Sequence, residues 1–106
     1  MTKADNPTNQ QDNLKTGLEI FGDAWTLAIV LVLATATRRF NELQRLLGNV
    51  SPTTLTDRLK KLESYGLIVQ QKRKTDQVSV FYSLTDKGKK MLPALEAIES
   101  FSKKFL

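Results

Sequence analysis

Apolar residues recur along this chain first at helical spacing, then at strand spacing, and then at helical spacing again. Met1 to Gln11 has no such rhythm. It is polar, holds Pro7, and reads as a flexible tail, residues 1–11, ahead of one ordered domain, 12–106. Asp12 can cap a helix in which Leu14, Leu18 and Phe21 lie at helical spacing, ending near Gly22. Asp23 then caps a second helix, Ala24 to about Ala34, apolar nearly all round. Eleven residues rise only about 16 Å, too short for a bilayer, so this helix is expected in the core with Trp25 packed inside.

Thr35 to Arg39 breaks the rhythm, and Arg38-Arg39-Phe40 reads as a short extended piece. Asn41 can cap a third helix, Glu42 to Leu47, with Leu43, Leu46 and Leu47 inward, and Gly48-Asn49-Val50 turns into a fourth. The fourth is marked at both ends: Ser51 is a good N-cap, Pro52 suits the first helical position, and Gly66 supplies the stop. Its Leu55, Leu59 and Leu62 fall at i, i+4 and i+7, one narrow apolar stripe. The opposite face carries Thr53, Thr54, Asp57, Lys60 and Lys61, with Arg58 on the flank.

After Gly66 the period becomes two. Leu67, Val69 and Gln71 alternate with Ile68, Gln70 and Lys72. Lys74-Thr75-Asp76-Gln77 turns, and Val78, Val80, Tyr82 and Leu84 alternate on the return. That predicts a β-hairpin tipped by Lys72-Arg73-Lys74. Thr85 can cap a last helix with Leu92, Leu95, Ile98, Phe101 and Phe105 on or near one face, in which Pro93 should kink the helix or mark a shift in packing. The predicted fold is mainly α with a small β-hairpin, a winged helix-turn-helix.

Composition changes this picture by exclusion. One hundred and six residues suffice for one core. With no cysteine, disulfides, zinc fingers and thiol chemistry are excluded; with no histidine, the usual general base and metal ligand are missing. Serine and threonine have nothing to activate them, and no Gly-rich phosphate loop is present, so an enzyme is not expected, nor a cofactor or metal. The net charge of +5 is concentrated. Residues 38–74 hold nine cations against three carboxylates, whereas residues 1–37 sum to −2. A basic middle third is the footprint of a polyanion binder. No basic start is joined to an apolar run, so a signal peptide is not expected and the protein is expected in the cytoplasm, without a membrane partner.

Several stretches resemble one family. Gly22-Asp23-Ala24-Trp25-Thr26-Leu27 resembles the Gly-Gly-Lys-Trp-Thr-Leu of HxlR-type transcriptional regulators, and Arg39-Phe40-Asn41-Glu42-Leu43 their Arg-Phe-Asn/Ser-Glu-Leu. Val50 to Leu59 is similar to their Ile-Ser-x-x-x-Leu-x-x-Arg-Leu, Tyr82 to Gly88 to their Tyr-Ser-Leu-Thr-x-x-Gly, and Leu92-Pro93-Ala94-Leu95 to their Leu-Pro-x-Leu. Together these blocks cover roughly residues 12–100. The resemblance implies a homodimeric regulator that binds operator DNA through the Ser51–Tyr65 helix and its wing. It also implies pairing through the first and last helices, here Leu14, Leu18, Phe21, Leu95, Ile98, Phe101 and Phe105. Two departures stand out. Asp12 occupies the place where many members carry a cysteine, which removes a thiol switch, and the wing lacks the family's Pro-rich segment.

The candidate DNA-binding residues are Arg39, Ser51, Thr53, Thr54, Asp57, Arg58, Lys60, Lys61, Lys72, Arg73 and Lys74. Thr53 and Thr54 lie where a helix-turn-helix meets base edges, although Thr54 can instead complete the cap. Lys60 and Lys61 suit phosphates, because flexible ammoniums act as point charges. Asp57 repels phosphate, so on DNA it should accept from a cytosine amine. Arg58 has two readings, a DNA contact or a bridge to a carboxylate of its own domain. The hairpin cations suit phosphates or the minor groove. The rival to double-stranded DNA is an acidic protein docked on the same basic face. No residue identifies a small-molecule effector.

Overall fold

The structure is a computed structural model that describes the backbone of residues 7–74 and 78–106 and the side chains of residues 12–72 and 79–106. The expected turn at Thr75-Asp76-Gln77, the first six residues of the expected tail, and the Arg73 and Lys74 side chains lie outside the described residues.

Helix α1 spans Pro7–Phe21. It begins five residues before the cap expected at Asp12, so residues 7–11 are helical; Pro7 needs no N–H at a first helical position. The chain bends by 69° into α2, Ala24–Thr35, at Gly22-Asp23. Asp23 caps α2 as expected: its carboxylate accepts from the Trp25 N–H at 3.3 Å and from the buried Thr26 hydroxyl at 2.7 Å. Only one stripe of α2 is fully covered, Thr26, Ile29, Val30 and Leu33. Trp25, expected in the core, is 39% exposed, and Leu31 lies out as well, because this small domain covers just one side of an all-apolar helix.

A two-residue strand β1, Arg38–Arg39, leads into α3, Phe40–Leu46. Arg39, not Asn41, is its N-cap: Glu42 folds back to accept the Arg39 N–H at 3.0 Å. Leu43 is buried, but Leu46 is 47% exposed, since seven residues present only one inward position per turn. The turn that follows needs two left-handed residues, Gly48 at φ 73° and Asn49 at φ 61°. Gln44 Nε2 pins it by donating to the Val50 carbonyl at 3.0 Å. Helix α4, Pro52–Ser64, starts on the Ser51 cap and ends at Gly66, φ 71°. Leu55, Leu59 and Leu62 are all buried in the core beside Ile29, Val30 and Leu43.

Strands β2, Ile68–Lys74, and β3, Val78–Leu84, pair antiparallel from Ile68 opposite Leu84 to Lys74 opposite Val78. The three hairpin cations therefore belong to the end of β2. Strand β1 adds to the other edge of β3, Arg38 opposite Tyr82, giving the sheet order β1-β3-β2. The helix expected from Thr85 to the end is two: α5, Asp86–Lys89, capped by Thr85, and α6, Leu92–Phe105. Pro93 stands in the first turn of α6, where it starts a helix instead of kinking one. The result is mainly helical with a small antiparallel sheet, a winged helix-turn-helix whose helix α4 is held by the core.

Two glycines separate close packing from open space. A Cβ on Gly88 would lie 2.0 Å from the Leu67 carbonyl oxygen, whereas one on Gly17, within α1, would meet nothing within 4 Å. Gly88→Ala is expected to cost on the order of 1–3 kcal/mol, and Gly17→Ala to gain about 0.5–1 kcal/mol. Urea unfolding at fixed protein concentration checks both, as midpoint shifts of opposite sign.

Candidate nucleic-acid interface

With its leucine stripe buried, α4 turns Thr53, Asp57 and Lys60 to solvent and leaves Thr56 half-buried. Pro52, Thr53, Thr56, Asp57 and Lys60 line one shallow groove along the helix. Two hydroxyls, a carboxylate and a cation are thus presented along about two turns of a helix, a shape and chemistry that fit the DNA major groove. Thr56 was not among the sequence candidates, although its place three residues after Thr53 puts it on the same face.

The structure separates the other candidates into free and committed groups. Ser51 is exposed, but its hydroxyl accepts the Thr54 N–H at 3.1 Å and donates to the Thr54 hydroxyl at 2.9 Å. Both therefore build the first turn. Arg58 takes the intradomain reading: Nε donates to the Asp23 carboxylate, and Nη1 to Asp57 at 2.8 Å. Lys61, expected on phosphate, donates instead to the Glu19 carbonyl at 2.5 Å, closing the last turn of α1. Lys72 is exposed on β2. Arg39 is exposed with its guanidinium 5.1 Å from the Phe81 ring centroid, held by cation–π attraction. A second groove, lined by Thr37, Arg39, Asn41, Glu42, Arg45 and Phe81, adds Arg45, which the sequence reading counted as charge without giving it a role.

The candidate pairing residues also divide. Leu14 is 64% and Phe105 65% exposed, and Leu18, Ile98 and Phe101 are exposed with them. Leu95, at 8%, belongs to the core, and Phe21 packs partly against it, because each stands on the inward side of its helix. Among the described residues, no group of histidine, cysteine, aspartate or glutamate could hold a metal ion, and no single helix is long and apolar enough to cross a membrane.

Residues 20–106 match the sequence profile of the HxlR-like helix-turn-helix family. The chain belongs to that family. It is 31% identical over 101 residues to YvaP of Bacillus subtilis, an uncharacterized HTH-type transcriptional regulator, spanning 95% of this chain and 94% of YvaP. An uncharacterized HTH-type regulator of Halalkalibacterium halodurans is 38% identical over 82 residues, 76% of this chain and 73% of that one. The solved structure of reduced YodB, a B. subtilis transcriptional regulator, superposes with a TM-score of 0.81 at 25% identity, covering 94% of this chain and 93% of YodB. This HxlR-like chain is thus a DNA-binding transcriptional regulator.

The bridge at Asp23 carries a pH dependence. Burial pushes its carboxyl up, but hydrogen bonds from Thr26 and Arg58, the Arg58 charge and the Trp25 N–H together hold it below its ordinary 3.8. A folded pKa below the unfolded one stabilises above the unfolded value and loses that contribution as pH falls through the folded value. Thermal stability should therefore fall as pH drops below about 4. Asp23→Asn, which keeps a capping side chain, should be less stable at neutral pH and decline less steeply in acid. Parallel melting-temperature profiles for the two proteins from pH 7 to strong acid would remove Asp23 from this role.

Proposed function

We propose that this regulator works as a homodimer in the cytoplasm and reads a two-fold symmetric operator in double-stranded DNA. Each α4 lies in the major groove, where Thr53 and Thr56 meet base edges and Asp57 accepts from a cytosine amine through its remaining lone pairs. Lys60, Arg39, Arg45 and the β2 cations Lys72, Arg73 and Lys74 follow the phosphates. The observation that carries this reading is the outward face of α4, Thr53, Thr56, Asp57 and Lys60, backed by three buried leucines; a separate groove holds Arg39 and Arg45.

Pairing is supported by exposed apolar surface on the two terminal helices. Leu14 and Leu18 on α1, and Ile98, Phe101 and Phe105 on α6, are all exposed. The Cα radius of gyration is 16.1 Å, against about 13 Å for a compact domain of 100 residues. Such elongated molecules with exposed apolar strips gain by closing them across a two-fold axis. Sedimentation at about micromolar concentration should show a dimer, and Ile98→Asp with Phe101→Asp a folded monomer. A wild-type monomer under those conditions would count against pairing.

The DNA assignment is tested on duplexes selected from a random pool. Thr53→Ala should cost about 1–3 kcal/mol on the selected site and little on random DNA. Lys60→Ala should weaken both by similar factors and, occurring twice per dimer, lower the log–log salt slope by about two units. Equal losses from Thr53→Ala on both duplexes, with changed sequence preference from Lys60→Ala, would reverse the assignment. Binding to an acidic protein without any measurable affinity for DNA would favour the rival partner.

A further inference from the structure

Helix α4 is tied along one flank to a single place. Arg58 donates Nε to Asp23, the cap of α2, and its Nη1 to Asp57 at 2.8 Å. Lys61, one turn further on, donates to the Glu19 carbonyl at 2.5 Å. Both ties land between Glu19 and Asp23, the corner where α1 bends by 69° into α2. One tie would leave a pivot. Two ties a turn apart also fix the rotation of α4 about its own axis. The same corner ends the helix that carries exposed Leu14 and Leu18.

We infer that Arg58 and Lys61 are positioning residues: they lock the reading helix to the α1–α2 corner and so set which separation of operator half-sites the dimer accepts. This rests on the dimeric, operator-reading function proposed above. The chemistry favours the corner over DNA. Two of the Arg58 guanidinium nitrogens already face carboxylates of its own chain: turning Nε to a phosphate would leave Asp23, partly buried, without its cation, and turning Nη1 would release Asp57. Moving Lys61 to a phosphate would take its ammonium away from the Glu19 carbonyl in the last turn of α1, one of the acceptors a helix end leaves unpaired. Asp57 gains as well. Its carboxylate is neutralised in part by Arg58 and held in one orientation, which suits a group that must approach a polyanion and meet one base.

The test uses the full chain and three variants, Arg58→Gln, Lys61→Met and Asp23→Asn. The last leaves α4 untouched and keeps a capping residue at the start of α2. The wild type first selects duplexes from a random pool. The selected half-site is then placed in pairs at graded separations, and affinities are measured by fluorescence anisotropy over a salt series, with sedimentation for the oligomeric state. The wild type should prefer one separation over its neighbours by about tenfold or more. Lys61→Met and Asp23→Asn should recognise the same half-site, and Arg58→Gln, which also releases Asp57, should differ from them only at the base pair that Asp57 meets. All three variants should remain dimers. They should hold random DNA within about twofold, keep the salt slope within about half a unit, and lose most of the preference for separation.

An Arg58 or Lys61 that holds phosphate behaves differently. Its variant weakens binding to every duplex and lowers the slope by about two units, and Asp23→Asn, by freeing Arg58, tightens binding; either result overturns the inference. So does an unchanged preference for separation in the variants while the wild type is dimeric and reads paired half-sites, a result that leaves the proposed function standing. A monomeric wild type, or selected sites with no two-fold relation, overturns both. If Arg58→Gln does not fold, Asp23→Asn and Lys61→Met decide the matter with the same readouts.

Discussion

Burial of Leu55, Leu59 and Leu62 decides how the rest of this molecule can work. Each leucine taken from water contributes roughly 1.5–3 kcal/mol, and the stripe they form allows α4 one orientation against α2 and α3. Rotation that exposed the stripe would forfeit that energy and seat charged groups in the core. The face carrying Thr53, Asp57 and Lys60 is therefore outward because the opposite face must be inward. Ser51 and Gly66 only set where the helix starts and stops. The hydrophobic term decides which face is inward, while hydrogen bonds set the ends and tie one flank to the α1–α2 corner.

The basic middle third contains two populations of cation that charge alone does not tell apart. Arg58 and Lys61 are drawn into the domain because the corner between α1 and α2 offers a carboxylate and an unpaired helix-end carbonyl within their reach. Lys87 makes the same kind of contact elsewhere, donating to the Tyr65 carbonyl at the end of α4 at 2.6 Å. Lys60, one residue from Lys61, lines the groove along the outer face of α4. Adjacent lysines thus meet different surroundings, since one position along a helix is a rotation of about 100°. Net charge describes the field that draws in a polyanion, while geometry assigns which cations meet it.

The apolar surface left uncovered follows from size. A domain of this length cannot wrap both an all-apolar α2 and two amphipathic terminal helices. Thr26, Ile29, Val30 and Leu33 take the available cover on α2, which leaves Trp25 and Leu31 outside together with the strips on α1 and α6. The molecule is correspondingly elongated, 59 Å along its long axis against 35 and 24 Å.

The sequence alone determined the element order as far as Thr85, the leucine stripe, the Asp23, Ser51 and Thr85 caps, the hairpin and the family resemblance. All of these rest on periodicity and chemistry within a few residues of each other, where the backbone permits few alternatives. Local ambiguities still misplaced some ends: the start of α1 at Pro7, the α3 cap at Arg39, and the Lys90-Met91 break that separates α5 from α6. Only the tertiary structure decided that Leu95 belongs to the core and Trp25 does not, that Arg39 lies against Phe81, and that Arg45 and Thr56 join the basic and reading faces. Only it showed Arg58 and Lys61 joined to groups 35 and 42 residues away. A long flexible side chain selects its partner by distance in space, and no local pattern records which distant carboxylate or carbonyl the packing of two helices brings within reach.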